Sequence, residues 1–107
     1  MTSTRKSATA KRAALPRRFE YAKGFLKDWE RLSHSGRHDM HRLKTAMQLL
    51  SANDAPMPAE WRDHDLSGDL ADHRECHVKG DLLLVYRIQG DTVTFVRAGT
   101  HTELFGS

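Results

Sequence analysis

From His73 to Phe105 the chain alternates strand-like runs with glycine turns, and no other stretch restricts the fold as tightly. H-R-E-C-H-V leads into a Lys79–Gly80 turn and D-L-L-L-V-Y-R-I into a Gly90–Asp91 turn. T-V-T-F-V-R-A-G then runs into a short tail, T-H-T-E-L-F. β-Branched and aromatic residues fill the runs and each turn carries a glycine, the local signature of consecutive antiparallel hairpins. Two-residue loops set a register in which His77 faces Leu82 and Leu84 faces Arg97. That register puts His77, Leu82 and Arg97 on one face, with Asp81 at its rim.

The upstream half has a different period. Ala22, Phe25, Leu26, Trp29 and Leu32 recur at the spacing of one helix face. Met40, Leu43, Ala46, Met47 and Leu50 do the same in a second helix expected over His38–Ser51, with Gly36 in the connection. Both stripes read as core. Arg17 to Tyr21 is expected to add a short first strand. Ala52 to Leu70 is a long connection of the kind that tends to be functional. Within it, Trp61 is expected to anchor the loop rather than stand as a platform for a base. His64 lies between Asp63 and Asp65, whose carboxylates would favour an imidazolium if they are close.

The totals narrow the class. A chain of 107 residues has room for one domain. It contains no membrane-length apolar run and no signal-peptide pattern, so a cytoplasmic location is expected. Cys76 is alone, which permits no internal disulfide and suits a small buried hydrophobe. Net charge is +3, but residues 1–18 hold six basic residues and no acid, leaving −3 on the remainder. Residues 1–15 therefore read as a disordered basic tail: a solvated extension, an electrostatic arm for nucleic acid, or a transit peptide. Any polyanion site in the body must be local.

The histidines carry the chemistry. His34, His38 and His41 straddle Gly36 and read as a solvated face. His73 and His77 lie about 13 Å apart on an extended strand, too far to share an ion. His64 on the loop, His77 and Asp81 at the hairpin, and His101 after the last strand could converge at one end of the sheet. Such a set suits metal-free general acid–base work on RNA: a base frees the 2′-hydroxyl to attack phosphorus, and an acid protonates the leaving 5′-oxygen. Arg97 would stabilise the transition state and Phe105 would stack on a base. The competing reading is an assortment of surface histidines.

The elements D-H-D-L-S-G, R-E-C-H-V-K-G-D-L-L-L-V-Y-R-I and R-A-G-T-H-T-E-L-F, in that order, resemble the YafQ-type toxins of the RelE/ParE superfamily over residues 17–106. The resemblance implies an α+β fold, with an N-terminal helical hairpin on one face of a small, twisted, mostly antiparallel sheet at residues 16–107. It implies a ribosome-dependent messenger-RNA endonuclease, the toxin of a type II toxin–antitoxin pair, with no metal and no organic cofactor. Carried over by motif, His64, His77, Asp81 and His101 are the catalytic positions and Phe105 the terminal aromatic. His101 is assigned as acid, Asp81 or His64 as base, His77 as orienting group and Arg97 as the grip on phosphate. Leu82 stands where the family often has an aromatic residue that contacts substrate. The implied partners are the ribosome, its message and a ribbon-helix-helix antitoxin, with operator DNA reached only through the antitoxin complex and no membrane. A gyrase-binding toxin that cuts nothing, or a degenerate toxin that only binds its antitoxin, is the rival.

Overall fold

The structure, a computed structural model, describes residues 16–52 and 57–106; the basic tail expected over residues 1–15 lies outside them. The elements run β1 (Arg18–Tyr21), α1 (Lys23–Ser35), α2 (Met40–Ser51), β2 (His64–Asp65), β3 (Arg74–Lys79), β4 (Leu82–Gln89), β5 (Thr92–Thr100) and α3 (His101–Phe105). Single 3-10 turns sit at Ala59–Trp61 and Gly68–Leu70. The five strands order as β1-β5-β4-β3-β2; β1 pairs parallel with β5 and every other pair is antiparallel. Among the described residues no helix is long and apolar enough to cross a membrane.

Local chemistry sets the element boundaries. Gly36 takes the left-handed conformation that ends α1, and the Asp39 carboxylate accepts the Arg42 N–H at 2.9 Å to start α2. His34 therefore falls in the last turn of α1, His38 in the connection and His41 in α2. The inner stripes of the two helices, Phe25 and Leu32 with Leu43, Ala46 and Leu50, close over one face of the sheet. There they meet Cys76, Val78, Leu82, Leu84, Tyr86, Val93, Phe95 and Ala98. Burial pushes the Cys76 thiol up to about 12, so it stays protonated and inert at neutral pH.

Three expectations about the strands need correction. The first turn is Gly80–Asp81 and β3 continues through Lys79, with an irregularity at Val78. His77 consequently pairs with Leu83, and Leu82 pairs with Lys79. In β5 a second irregularity beside Val85 puts Arg97 opposite Val85, not Leu84. The described part of the long connection, residues 57–70, carries structure of its own. It contributes β2 to the sheet edge and buries Trp61, over whose ring the Arg42 guanidinium sits at 4.0 Å.

Candidate active site

The site is built by strand arithmetic on the face away from the helices. Residues two apart on a strand share a face, so Glu75 and His77 of β3 stand side by side. His64 of β2 is the cross-strand partner of Glu75 and joins them. The His64 Nε2 lies 3.4 Å from Glu75 Oε2 and the His77 Nε2 3.8 Å from the same oxygen; the two rings are 6.0 Å apart. Glu75 is the buried member, its side chain 8 % exposed against 47 % for His64 and 30 % for His77.

His64 is oriented from both ends. Its Nδ1 lies 2.8 Å from the Arg62 carbonyl, which can only accept, so Nδ1 carries the hydrogen. Arg62 is the one described non-glycine residue with positive φ, at 47°, and that turn aims the carbonyl at the ring. The flanking carboxylates, which would favour its imidazolium at close range, are engaged elsewhere. Asp63 accepts from the Tyr86 hydroxyl and from Arg74 Nη2 at 3.0 Å, and Asp65 accepts from Arg74 Nη1. Burial and the Asp63 contact hold the Tyr86 hydroxyl well above its ordinary range.

The third histidine arrives from the other end of the chain. Thr100 and Glu103 form a reciprocal capping box that starts α3, and α3 carries His101 and Phe105 with their rings 5.0 Å apart. Arg31 of α1 reaches Glu103 at 3.3 Å and ties this single turn of helix to the body. A Cβ at Gly99 would lie 2.9 Å from the Glu103 carboxylate and 3.1 Å from the Arg31 guanidinium, so glycine lets the two meet against β5. His64, Glu75, His101 and Phe105, with Leu66, Ser67, Asp69 and Leu70, line one hollow of about 480 Å3. That volume suits a small-molecule or nucleotide-sized ligand. His77 opens onto a neighbouring hollow edged by Arg42, Arg62 and Lys79. A third, apolar hollow around Phe19, Tyr21, Phe25 and Trp29 contains no histidine or carboxylate.

The sequence model of the family described as "Bacterial toxin of type II toxin-antitoxin system, YafQ" matches residues 17–106. This chain belongs to that family. The mRNA interferase toxin YafQ of Escherichia coli (strain K12) is 38 % identical over 92 residues, covering 86 % of this chain and 99 % of the relative. The YafQ fold agrees as well. The crystal structure of the E. coli DinJ-YafQ toxin-antitoxin complex aligns with TM-score 0.77 at 38 % identity, covering 86 % of this chain and 100 % of that one. A metal-bound toxin from Helicobacter pylori aligns with TM-score 0.74 at 41 % identity, covering 83 % and 99 %.

The remaining positions expected from YafQ-type toxins divide. Asp81 is exposed in the β3–β4 turn, and because Leu82 pairs with Thr100 this turn shares its end of the sheet with His101. Arg97 does not join the histidines. Its guanidinium is taken by Asp28 of α1, with Nε at 2.6 Å and Nη2 at 3.2 Å, so gripping a phosphate would require surrendering that carboxylate. Leu82 is 1 % exposed and packed in the core, so it cannot contact RNA. Replacing Leu82 with Met, which nearly conserves volume, should cost about 1 kcal/mol. Chemical denaturation should show that loss while the KM for message stays unchanged. The sequence reading missed Glu75. Its signal was a charged residue in mid-strand, two positions from a histidine.

Proposed function

We propose that this toxin is a ribosome-dependent messenger-RNA endonuclease that works by metal-independent acid–base chemistry. The observation that carries the reading is the single hollow shared by His64, Glu75, His101 and Phe105, with His77 held to the same carboxylate. His101 protonates the departing 5′-oxygen. The 2′-hydroxyl gives its proton to His64, which lines the same hollow, or to Asp81 at the adjoining turn. Glu75 holds the His64 and His77 rings in place, and Phe105 stacks on a base beside His101. Arg62 and Lys79, on the neighbouring hollow, take over the phosphate contact first assigned to Arg97. With an acidic body, these local cations and the ribosome together position the message.

The DinJ-YafQ complex supports an antitoxin as partner. We assign that partner a ribbon-helix-helix segment and a tail that folds onto the toxin, through which alone operator DNA is reached, and we place the pair in the cytoplasm. Induced expression in a bacterium, followed by mapping of message ends, tests the reading. Codon-phased cuts that vanish on co-expression of the neighbouring reading frame are the expected result. A DNA-damage response without cuts would replace the nuclease by a gyrase-binding toxin. Undisturbed growth with folded protein accumulating would leave a degenerate toxin.

A further inference from the structure

We infer that Ser67 and Asp69 read the base that stacks on Phe105, and that they select guanine. The inference rests on the nuclease reading above and names the specificity of that same hollow. His64, Glu75 and His101 do the proton chemistry there, and Phe105 supplies an aromatic platform beside His101. The rest of the lining, Leu66, Ser67, Asp69 and Leu70, comes from one short loop between β2 and β3. Its own backbone holds that loop in shape. Leu66 donates to the His73 carbonyl at 3.0 Å, Leu70 to Ser67 at 3.3 Å and Ala71 to Gly68 at 3.1 Å. A wall fixed in this way presents its polar side chains in a set pattern, which is what discrimination between bases needs.

The two polar side chains of this wall are not spent on the fold. Ser67 is the N-cap of the Gly68–Leu70 turn, yet its hydroxyl makes no cap bond. Gly68, at a φ of 68°, turns the chain between it and Asp69. Asp69 is exposed, and among the described residues its carboxylate has neither a hydrogen bond nor an ion pair. A carboxylate repels phosphate, so in this hollow its attraction is reserved for donors on a base. It only accepts, through two oxygens side by side, whereas a hydroxyl can donate. The Watson–Crick edge of guanine offers the matching order, the O6 acceptor and then the N1 and N2 donors. Adenine and cytosine set a ring acceptor next to the amino group, and uracil sets its N3 donor between two carbonyls. Guanine alone satisfies both side chains at once.

Ribosome-based cleavage of a message library randomised over one codon tests the assignment. Full-length wild type should favour guanine over uracil by about tenfold or more at one position relative to the cut. Asp69→Ala should bring that ratio close to one. Asp69→Asn should move it towards uracil, because an amide pairs one donor with one acceptor, as the uracil edge does. A merely structural role for Asp69 would change the amount of cutting and leave the ratio alone. No guanine preference in the wild type, or the same preference in Asp69→Ala, would overturn the inference. If the wild type cuts nothing, the nuclease reading fails, and the base contact is decided separately by NMR titration with 5′-GMP and 5′-UMP. Amides of residues 68–70 should then respond to GMP at about tenfold lower concentration than to UMP, and equally to both in Asp69→Ala. An equal response to the two nucleotides in the wild type would remove the contact.

Discussion

Changing His101 to Ala should lower message cleavage by roughly a hundredfold to ten-thousandfold, the range expected when a positioned acid or base is lost. Folding should barely register the change, because His101 is exposed on a one-turn helix whose cap is made by Thr100 and Glu103. Losing the ring contact with Phe105 at such an exposed position should cost no more than about 1 kcal/mol. The measurement pairs quantified cut ends on ribosomes with a melting curve of the same variant. Wild-type cutting by a normally folded variant would remove His101 as the acid. His64→Ala and Asp81→Asn, compared in the same assay, assign the base: the variant that matches the His101 loss has lost it. Phe105→Ala should mainly raise KM, since stacking positions the substrate without moving a proton.

Changing Asp28 to Ala should be the most damaging substitution to the fold outside the apolar core. Asp28 is 3 % exposed and collects four hydrogen bonds. Two come from Arg97, one comes from Arg31 at 3.0 Å and one from the Ala98 N–H at 2.9 Å. β1 stops pairing with β5 at Phe95, so beyond that point the outer edge of β5 lacks a strand neighbour, and Asp28 takes its place. Removing the carboxylate strands a buried amide, which costs about 1–3 kcal/mol, and sends two guanidinium groups back to water. Because both arginines are partly exposed, the total should be about 2–3 kcal/mol. In a domain of this size that lowers the melting temperature by about 10–20 °C. A shift below a few degrees would mean that Arg97 is spare and open to RNA. Arg31→Ala separates the fold from the chemistry. Glu103 then loses its tie to α1, so kcat should fall more than stability, and Arg31→Lys should restore part of it.

Much of this architecture was legible because period and punctuation agree. The glycine turns and β-branched runs gave the meander, the helical stripes gave the hairpin that covers it, and the motif order gave a toxin. The register was not legible. A one-residue irregularity at Val78 has no signature in R-E-C-H-V-K-G-D, yet it moves the turn and the β4 partner of each β3 residue before it. β2 escaped because two residues are too few to display a period. Leu82 was assigned to the site face by counting from the wrong turn, whereas Arg97 shares the face of Val85 and Glu75 and is kept from the histidines by Asp28. T-H-T-E does carry the spacing of a capping box, so α3 was available to a closer reading. Glu75 was hidden by an assumption that the lone carboxylate of the site would be Asp81.

The triplet Asp63-His64-Asp65 bears on how the edge of the sheet is proofread. Sliding β2 along β3 by one residue would turn the imidazole outward and present an aspartate to Glu75, replacing an attraction by a repulsion between like charges. The same slide would tear both aspartates from Arg74 and Asp63 from Tyr86. A rung of only two residues, too short to specify its own alignment, thus has just one setting that satisfies its charges, and that setting is the armed one.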